Sequence, residues 1–531
     1  MAIASQGEFT SKAAAQMFSE GGNIIDAFVA ASFAVSVERP QSTGIGGGGF
    51  LLYYSQVDKK TYAIDFREVA PLRAHKNIYL DSKGNARPML SREGGLAVAT
   101  PGLVKGLWEI HQRWGKLPWS ATVAPAIKLA DEGFPLYAHL HRAITLRETL
   151  LKRDEGARKI FFTPDGKIPD QGYLIIQKDL ARTLRRISAQ GARGFYQGPV
   201  AKNIVQTIRM RGGIMSQKDL DGYTVIHRDP VSTHYQGKTL YSFPPPSSGG
   251  VHVIQILKML EPFDLKNKGP QSTYATHLTA KAMQRAFLDR SLYLGDPDFN
   301  TVLTKGLINK KYVEKLSESI ASESAVSSDE LKMIPLPAES TETTHFSIAD
   351  NDGNMVASTQ TINGYFGSGV IAQDTGIILN NEMDDFAQKV GATNLFGAVG
   401  GKNNLVEPQK RPLSSMSPTI VTENDKAIMA VGSPSGTRII SCVAQTLLNY
   451  LEYEMPLYES VAATRIHQQY LPDQLTVESP FLSSKVMKEL KEKGHKVVEG
   501  SLGCSVQAVA RDGLTLKAVS DPRNEGLALG Q

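Results

Sequence analysis

The stretch Thr341-Glu342-Thr343-Thr344-His345-Phe346-Ser347-Ile348-Ala349-Asp350 constrains this chain more than any other. Before it, Ser322 to Ser340 is rich in Ser, Glu and Pro and reads as a polar, poorly packed linker. After it the pattern becomes strand, turn, strand. Phe346 and Ile348 alternate with polar neighbours, Asn351-Asp352-Gly353 is turn chemistry, and Met355 to Ile362 is extended again. If Asp350 and Asn354 close a three-residue loop with Gly353 left-handed, Thr361 lies opposite Thr343. Two threonine hydroxyls facing each other where a linker meets a strand point to a cut between Glu342 and Thr343. Such a cut frees a threonine that carries both an amine and a hydroxyl.

An N-terminal threonine can serve as its own base. Its hydroxyl is a poor nucleophile at neutral pH, but an α-amine with a pKa of about 8 can take the proton. While the Glu342–Thr343 bond is intact that nitrogen is an amide, so the uncut chain is expected to be inactive. The same hydroxyl could attack the carbonyl of Glu342 to give an ester that water opens, which needs no separate protease.

Composition narrows the alternatives. The formal charge of +5 is small for 531 residues, and no Lys/Arg cluster is interleaved with aromatics, which argues against nucleic acid as a partner. The most apolar run, Ile24 to Val37, contains Asp26 and is too short to span a bilayer, so it reads as a buried helix. Cys442 and Cys504 show neither metal-ligand spacing nor a disulfide framework and are expected to be two small core residues. Met1 to Ser5 lacks the basic start and apolar stretch of a signal peptide.

Ala13 to Ser36 has helical spacing broken at Gly21-Gly22. Gly44-Ile45-Gly46-Gly47-Gly48-Gly49 lacks the Lys-Ser/Thr of a phosphate loop and reads as close backbone approach at the start of a strand. Strands Phe50 to Tyr54 and Thr61 to Phe66 lead to Arg67. Gly102 to Ser188 is mostly helical by pattern, with Arg185-Arg186 on a solvated face. Pro244-Pro245-Pro246-Ser247-Ser248-Gly249-Gly250 is a rigid turn whose serines are expected to cap the helix Val251 to Leu260. The basic run Glu407 to Arg411 is expected to be solvent-exposed. Pro418 to Val421 with Ala427 to Val431, and Val506 to Ala510 with Leu516 to Ala518, read as hairpins. Helices, then strands, then helices again suggest sheets sandwiched between helices.

Several motifs stand in one order: Asp65-Phe66-Arg67-Glu68, Pro244 to Gly250, Thr343-Thr344-His345-Phe346-Ser347, Asp352-Gly353-Asn354, Asn380-Asn381-Glu382-Met383-Asp384-Asp385-Phe386, Arg411 to Pro418 and Gly432-Ser433-Pro434. Together they resemble the gamma-glutamyltransferase (glutathione hydrolase) family over nearly the whole chain. The resemblance implies an α/β fold, a four-layer αββα sandwich of the Ntn-hydrolase type. It implies a precursor cut into residues 1–342, which supply Arg67, and residues 343–531. The reaction would be two-step acyl transfer of a gamma-glutamyl group from glutathione or a related amide through Thr343 to water, an amino acid or a peptide. It calls for no metal or cofactor.

By the same resemblance Thr343 is the nucleophile and Thr361 its hydrogen-bonding partner. Arg67, Ser414 and Ser415 match the groups on the substrate carboxylate, and Asn363, Glu382 and Asp385 those on its ammonium; these residue types suit an amino-acid head. Ser435 and Gly436 match the oxyanion hole, where backbone N–H groups at a helix start would face the developing charge. The family usually has two glycines there, so Ser435 is a departure that requires its side chain to point away. Lys389 to Asn404 resembles the lid of lidded members. Phe396 replaces a tyrosine that can bridge to the residue matching Asn363, so closure is expected to rest on apolar packing. Family members are typically exported to the periplasm or cell surface and usually have further residues before Met1 to Gln16, so the N-terminus is expected to be truncated or mis-started. Two rivals stand: a beta-lactam (glutaryl) acylase of the same fold, which has less need of Asp385, and a non-catalytic homologue that stays one chain.

Overall fold

The computed structural model describes residues 1–328, 330 and 343–530. In chain order its main strands are β1 (Ala2–Ser5), β2 (Gly48–Ser55), β3 (Lys60–Phe66), β4 (Ile226–Arg228), β5 (Val231–Tyr235), β6 (Lys238–Ser242) and β7 (Thr344–Ala349). They continue with β8 (Met355–Thr361), β9 (Thr419–Glu423), β10 (Lys426–Gly432), β11 (Gln507–Asp512), β12 (Thr515–Ser520) and β13 (Leu527–Gly530). Among the described residues they form two large antiparallel sheets, ordered β13-β1-β7-β8-β2-β3-β4 and β12-β11-β10-β9-β6-β5.

The sheets pack face to face, and the alternation of side chains explains why. In β2, Leu51 and Tyr53 join one apolar cluster, whereas Phe50, Leu52 and Tyr54 join another that lies toward the second sheet. Phe50 stacks on Phe243, just past β6, with ring centroids 4.1 Å apart. The outer face of the first sheet is covered by α1 (Glu8–Ser19), α2 (Ile24–Glu38), α3 (Leu103–Trp114) and α4 (Trp119–Glu132). The outer face of the second is covered by α5 (Gly249–Leu260), α6 (Thr273–Tyr293) and α7 (Arg438–Leu451). The layers are therefore α, β, β, α. Helix α2 is buried along its whole length, as its apolar run predicts, and Asn23 with Asp26 forms a capping box at its start. No helix among the described residues is long and apolar enough to cross a membrane.

The β7–β8 hairpin has the expected register. Ala349 pairs with Met355 and Thr344 with Gln360, so one residue further Thr343 lies across from Thr361. The loop is closed by Asp350, whose carboxylate accepts the Asn354 N–H (2.8 Å) and side-chain amide (2.7 Å), while Gly353 takes φ +96°. The glycine run makes close backbone contacts: a Cβ on Gly47 would lie 1.9 Å from the Thr361 carbonyl oxygen, and one on Gly46 2.2 Å from that of Ile378.

Four expectations need correction. Cys442 and Cys504 are joined in a disulfide, both buried; their 62-residue separation hid a contact made only in three dimensions. Lys410 and Arg411 are buried rather than solvated, because Glu407 pairs with Lys410 (2.7 Å) and Asp65 with Arg411 (3.3 Å), while Asp296 accepts the Arg411 N–H (2.7 Å). Ser248 makes no side-chain cap at α5. Ser247 accepts the Gly249 N–H (3.1 Å), but both hydroxyls donate across the site, to Met416 O and Ser414 O. The first part of the linker is packed: Lys281 bonds the Ser322 and Ser324 carbonyls, and Ser328 is held by Asp473 and the Tyr470 carbonyl. Residues 331–340 of that linker lie outside the described residues, as does Glu342 at the expected cut.

Candidate active site

The edges of four segments converge on one cavity. Arg67 follows β3, Thr343 immediately precedes β7, Thr361 closes β8, and Gly436 leads from β10 into α7. The cavity is lined by these residues with Asn363, Glu382, Asp385, Ser414 and Ser415, and also by Arg290, Phe396, Met416 and Ile439. Nine of the candidate catalytic and binding residues thus meet in one place, with Phe396 of the loop 389–404 beside them. Ser435 does not line it. Its Oγ donates to the Leu502 carbonyl oxygen (2.6 Å), so the side chain points away, as the oxyanion reading requires.

Each residue is held by its neighbours. Thr361 Oγ1 accepts the N–H of Asn363 (2.8 Å), whose φ is +74°. The Asn363 side chain donates to the Asn381 carbonyl (3.0 Å). Asn380 accepts the N–H groups of Ala99 and Glu382 (3.0 Å each) and donates to Gly46 O (2.8 Å), which ties the acidic turn Glu382–Asp385 to the glycine loop. The Pro244–Gly250 turn backs the paired serines: Pro246 O accepts the Ser414 N–H (2.8 Å), and Ser414 O accepts the Ser248 N–H (2.8 Å) and hydroxyl (2.7 Å).

Arg67 is the centre of a buried charge cluster. Its Nη1 bonds Glu382 Oε1, its Nη2 bonds Asp385 Oδ2 (2.6 Å), and its Nε donates to the Pro412 carbonyl (3.2 Å). A guanidinium has five N–H donors, so one on each Nη remains for a ligand carboxylate. Glu68 Oε2 lies 3.9 Å from Nη1. Burial raises Glu68 to about 7 and holds Glu382 well above the usual carboxylate range, with Arg67 opposing both shifts. Both Glu68 oxygens and Glu382 Oε2 accept no hydrogen bond, yet the two side chains lie within bonding reach of each other. Two ionised carboxylates have no donor between them; one retained proton satisfies both. Asp385 is also raised, chiefly by burial.

Arg290 was not singled out from sequence. It is buried, donates to Ser248 Oγ (3.0 Å), and burial lowers it to about 10, so it stays charged at neutral pH. A signal was present: in the helix pattern Arg290 shares a face with Met283 and Phe287, and a cation on an apolar face needs an anion within the fold. His345, two residues after Thr343, is held between the Thr359 (2.8 Å) and Ser347 (3.0 Å) hydroxyls and is pushed down to about 3 by burial, so it is neutral. It cannot act as a charged partner of Thr343 at neutral pH.

The loop 389–404 is not closed by apolar packing alone. Asn394 donates to Asp385 Oδ1 (2.7 Å) and accepts the N–H groups of Phe396 (2.9 Å) and Ala398 (3.1 Å), while the Leu395 N–H reaches Asp384 Oδ2 (2.6 Å). A polar latch two residues before Phe396 therefore stands where a tyrosine was missed. Asp385 has one oxygen on Arg67 and the other on the loop.

Comparison with known proteins agrees with this geometry. The family model described as gamma-glutamyltranspeptidase matches residues 10–531. The chain is 42% identical over 526 residues to the glutathione hydrolase proenzyme of Escherichia coli (strain K12), covering 98% of this chain and 90% of that one. It is 37% identical over 547 residues to the protein of the same name from Bacillus subtilis (strain 168), covering 99% and 91%. Among solved structures it is similar to cephalosporin acylase from Bacillus halodurans, with TM-score 0.87 and 25% identity over 99% of this chain and 95% of that one. It is also similar to Helicobacter pylori gamma-glutamyltranspeptidase, with TM-score 0.60 and 39% identity over 61% of this chain and 93% of that one.

Proposed function

This chain belongs to the gamma-glutamyltranspeptidase family, and we propose that it is an Ntn-type gamma-glutamyltransferase and glutathione hydrolase whose nucleophile is Thr343. The observation that carries the reading is the convergence of Thr343, Thr361, Arg67, the acidic turn, the paired serines and Gly436 on one cavity. Cleavage between Glu342 and Thr343 yields residues 1–342 and 343–531. The names of the relatives speak of a proenzyme, and the Helicobacter pylori chain matches a share of this chain close to what residues 1–342 make up.

The donor enters with its amino-acid head first. The two free N–H groups of Arg67 and the hydroxyls of Ser414 and Ser415 take its carboxylate; Asn363, Glu382 and Asp385 take its ammonium. The freed α-amine of Thr343 accepts the hydroxyl proton as Oγ attacks the gamma-carbonyl carbon, and Thr361 positions the hydroxyl. The N–H groups of Ser435 and Gly436 face the oxyanion. Collapse expels the amine (cysteinylglycine from glutathione), which takes the proton and leaves an ester on Thr343. Water or an amino-acid or peptide amine then repeats the attack and releases the gamma-glutamyl product.

The rival of the same fold is a beta-lactam (glutaryl) acylase, and a cephalosporin acylase is among the similar solved structures. Three acidic side chains, Glu68, Glu382 and Asp385, surround Arg67; they suit a donor carrying an ammonium and disfavour one with a carboxylate alone. The buried disulfide fits an oxidising compartment, the periplasm or the cell exterior, rather than a reducing cytosol. The test is intact mass and N-terminal sequencing of wild type and Thr343→Ala, followed by assay with gamma-glutamyl- and glutaryl-p-nitroanilide. Two fragments, one beginning Thr343-Thr344-His345, an uncut variant, and preference for the gamma-glutamyl donor are expected. A wild-type chain that stays whole, or a preference for glutaryl, overturns the reading.

A further inference from the structure

The loop that leaves β10 and enters α7 carries a backbone that its sequence does not favour. Ser435 has φ +109° and Gly436 φ +51°. Glycine adopts such angles freely; a serine holds one only where its surroundings over-determine it. Thr437 donates to Gln469 Oε1 (3.0 Å) on one side, and the segment 502–505 makes the contacts at Ser433 and Ser435 on the other. Leu502 O accepts the Ser435 hydroxyl (2.6 Å), the Ser505 N–H donates to Ser433 Oγ (3.3 Å), and Cys504 is bonded to Cys442 in the second turn of α7. At the other end of the loop, Gly432 pairs with Gln507 in the adjoining strands. The segment is itself fixed: Asn524 donates to Cys504 O (3.0 Å), and Asp521 accepts the Val506 N–H (3.0 Å). The loop is therefore tied before, at and after Ser435 to one strap.

We infer that this strap, Ser435 Oγ to Leu502 O together with the Cys442–Cys504 disulfide, is a positioning device for the reaction, one that holds the Ser435 and Gly436 N–H groups on the oxyanion. The inference rests on the reading of Thr343 as nucleophile. Where two glycines would let the loop adopt its angles without help, this chain has a serine, and the strap does the work of the missing glycine. The disulfide crosses from the helix that follows the loop to the same segment that receives the serine hydroxyl, so the two ties act on the loop together. Neither Cys442 nor Cys504 touches the substrate; they act through the backbone of residues 433–437. A loosened strap should therefore harm the step in which negative charge develops and leave ground-state binding alone.

The experiment compares mature wild type with Cys442→Ser/Cys504→Ser, Ser435→Ala and the triple variant. Maturation is read by intact mass, and kcat and KM are measured with gamma-glutamyl-p-nitroanilide at a temperature well below each variant's unfolding transition. Inhibition by an amino-acid boronate, whose tetrahedral adduct carries an oxygen in the oxyanion position, is compared with inhibition by glutamate. Loss of both ties is expected to lower kcat at least tenfold with KM within twofold, to weaken the boronate by a similar factor, and to leave glutamate unchanged. If the disulfide variant does not fold, Ser435→Ala alone must show the same split at a smaller factor. A fall in thermal stability with kcat and boronate affinity intact would make the strap merely structural and overturn the inference. If wild type itself neither matures nor turns over, the reading of Thr343 fails instead, and the two failures are told apart.

Discussion

Replacing Arg67 by lysine keeps the charge and removes the geometry. The guanidinium reaches Glu382, Asp385 and the Pro412 carbonyl in three directions from one buried plane. A lysine ammonium is a compact point charge on a flexible stem and cannot meet all three while also presenting a parallel pair of donors to a carboxylate. A charge-assisted hydrogen bond contributes roughly 1.5–3 kcal/mol. If the ammonium retains one of the two contacts to the donor's carboxylate, about 1.5–3 kcal/mol of recognition is lost, or on the order of 10- to 150-fold in kcat/KM. The loss should fall mainly on KM, because the carboxylate is bound equally in the ground state and the transition state. Arg67→Lys is expected to mature, since the proposed cut uses the Thr343 hydroxyl and the Glu342 carbonyl. The assay is kcat and KM with gamma-glutamyl-p-nitroanilide on protein whose two fragments have been verified by mass. Kinetics within threefold of wild type would refute the role of Arg67 as a fork for the carboxylate. A loss confined to kcat would place Arg67 in the chemical step instead.

Two further outcomes are expected. Asn394→Ala removes the bond to Asp385 Oδ1 (2.7 Å) that ties the loop to the acidic turn; the donor KM should rise about tenfold, for a loss of roughly 1.5 kcal/mol, and protease should nick residues 389–404 faster, whereas unchanged proteolysis would mean that the latch does not hold the loop. His345 is pushed down to about 3 by burial, against an ordinary value near 6.5. Its neutral burial thus favours folding above about pH 6.5, and that contribution is lost as pH falls toward 3, amounting to about 2 kcal/mol by pH 5. In the uncut Thr343→Ala background, the stability gap between His345 and His345→Gln should narrow by that amount from pH 7 to pH 5, and a gap that stays constant would show His345 to be solvated.

The parts of this site legible in sequence are those that local chemistry specifies. Asp350, Gly353 and Asn354 lie within five residues and set the hairpin, and the hairpin then sets Thr343 against Thr361. The glycine run announces close approach whatever approaches it. What escaped depends on partners brought together only by folding. Cys442 meets Cys504 because the start of α7 lies beside the segment entering β11. Lys410 and Arg411 look like a solvated run until Glu407, Asp65 and Asp296 surround them. Asn394 is one polar residue among many in its loop, and only the fold shows that it grips a carboxylate of the acidic turn. Arg290 is the intermediate case: its apolar helical neighbours held a signal of burial that went unread, and they do not show what it faces.

The strand pairing also explains how the site would survive the proposed cut beside Thr343. β7 lies inside the first sheet, with β1 on one side and β8 on the other. β1 belongs to the segment before residue 342, and β8 to the segment after it. The same interleaving recurs across that sheet, where β8 pairs with β2, and in the second sheet, where β9 pairs with β6. A break between Glu342 and Thr343 therefore removes one covalent bond and leaves both sheets hydrogen-bonded across the two fragments. The new amine stays at the head of a strand clamped on both sides, and Arg67, delivered by the first fragment at the end of β3, stays bonded to Glu382 and Asp385 of the second. The charge cluster proposed to receive the substrate therefore also bridges the two segments.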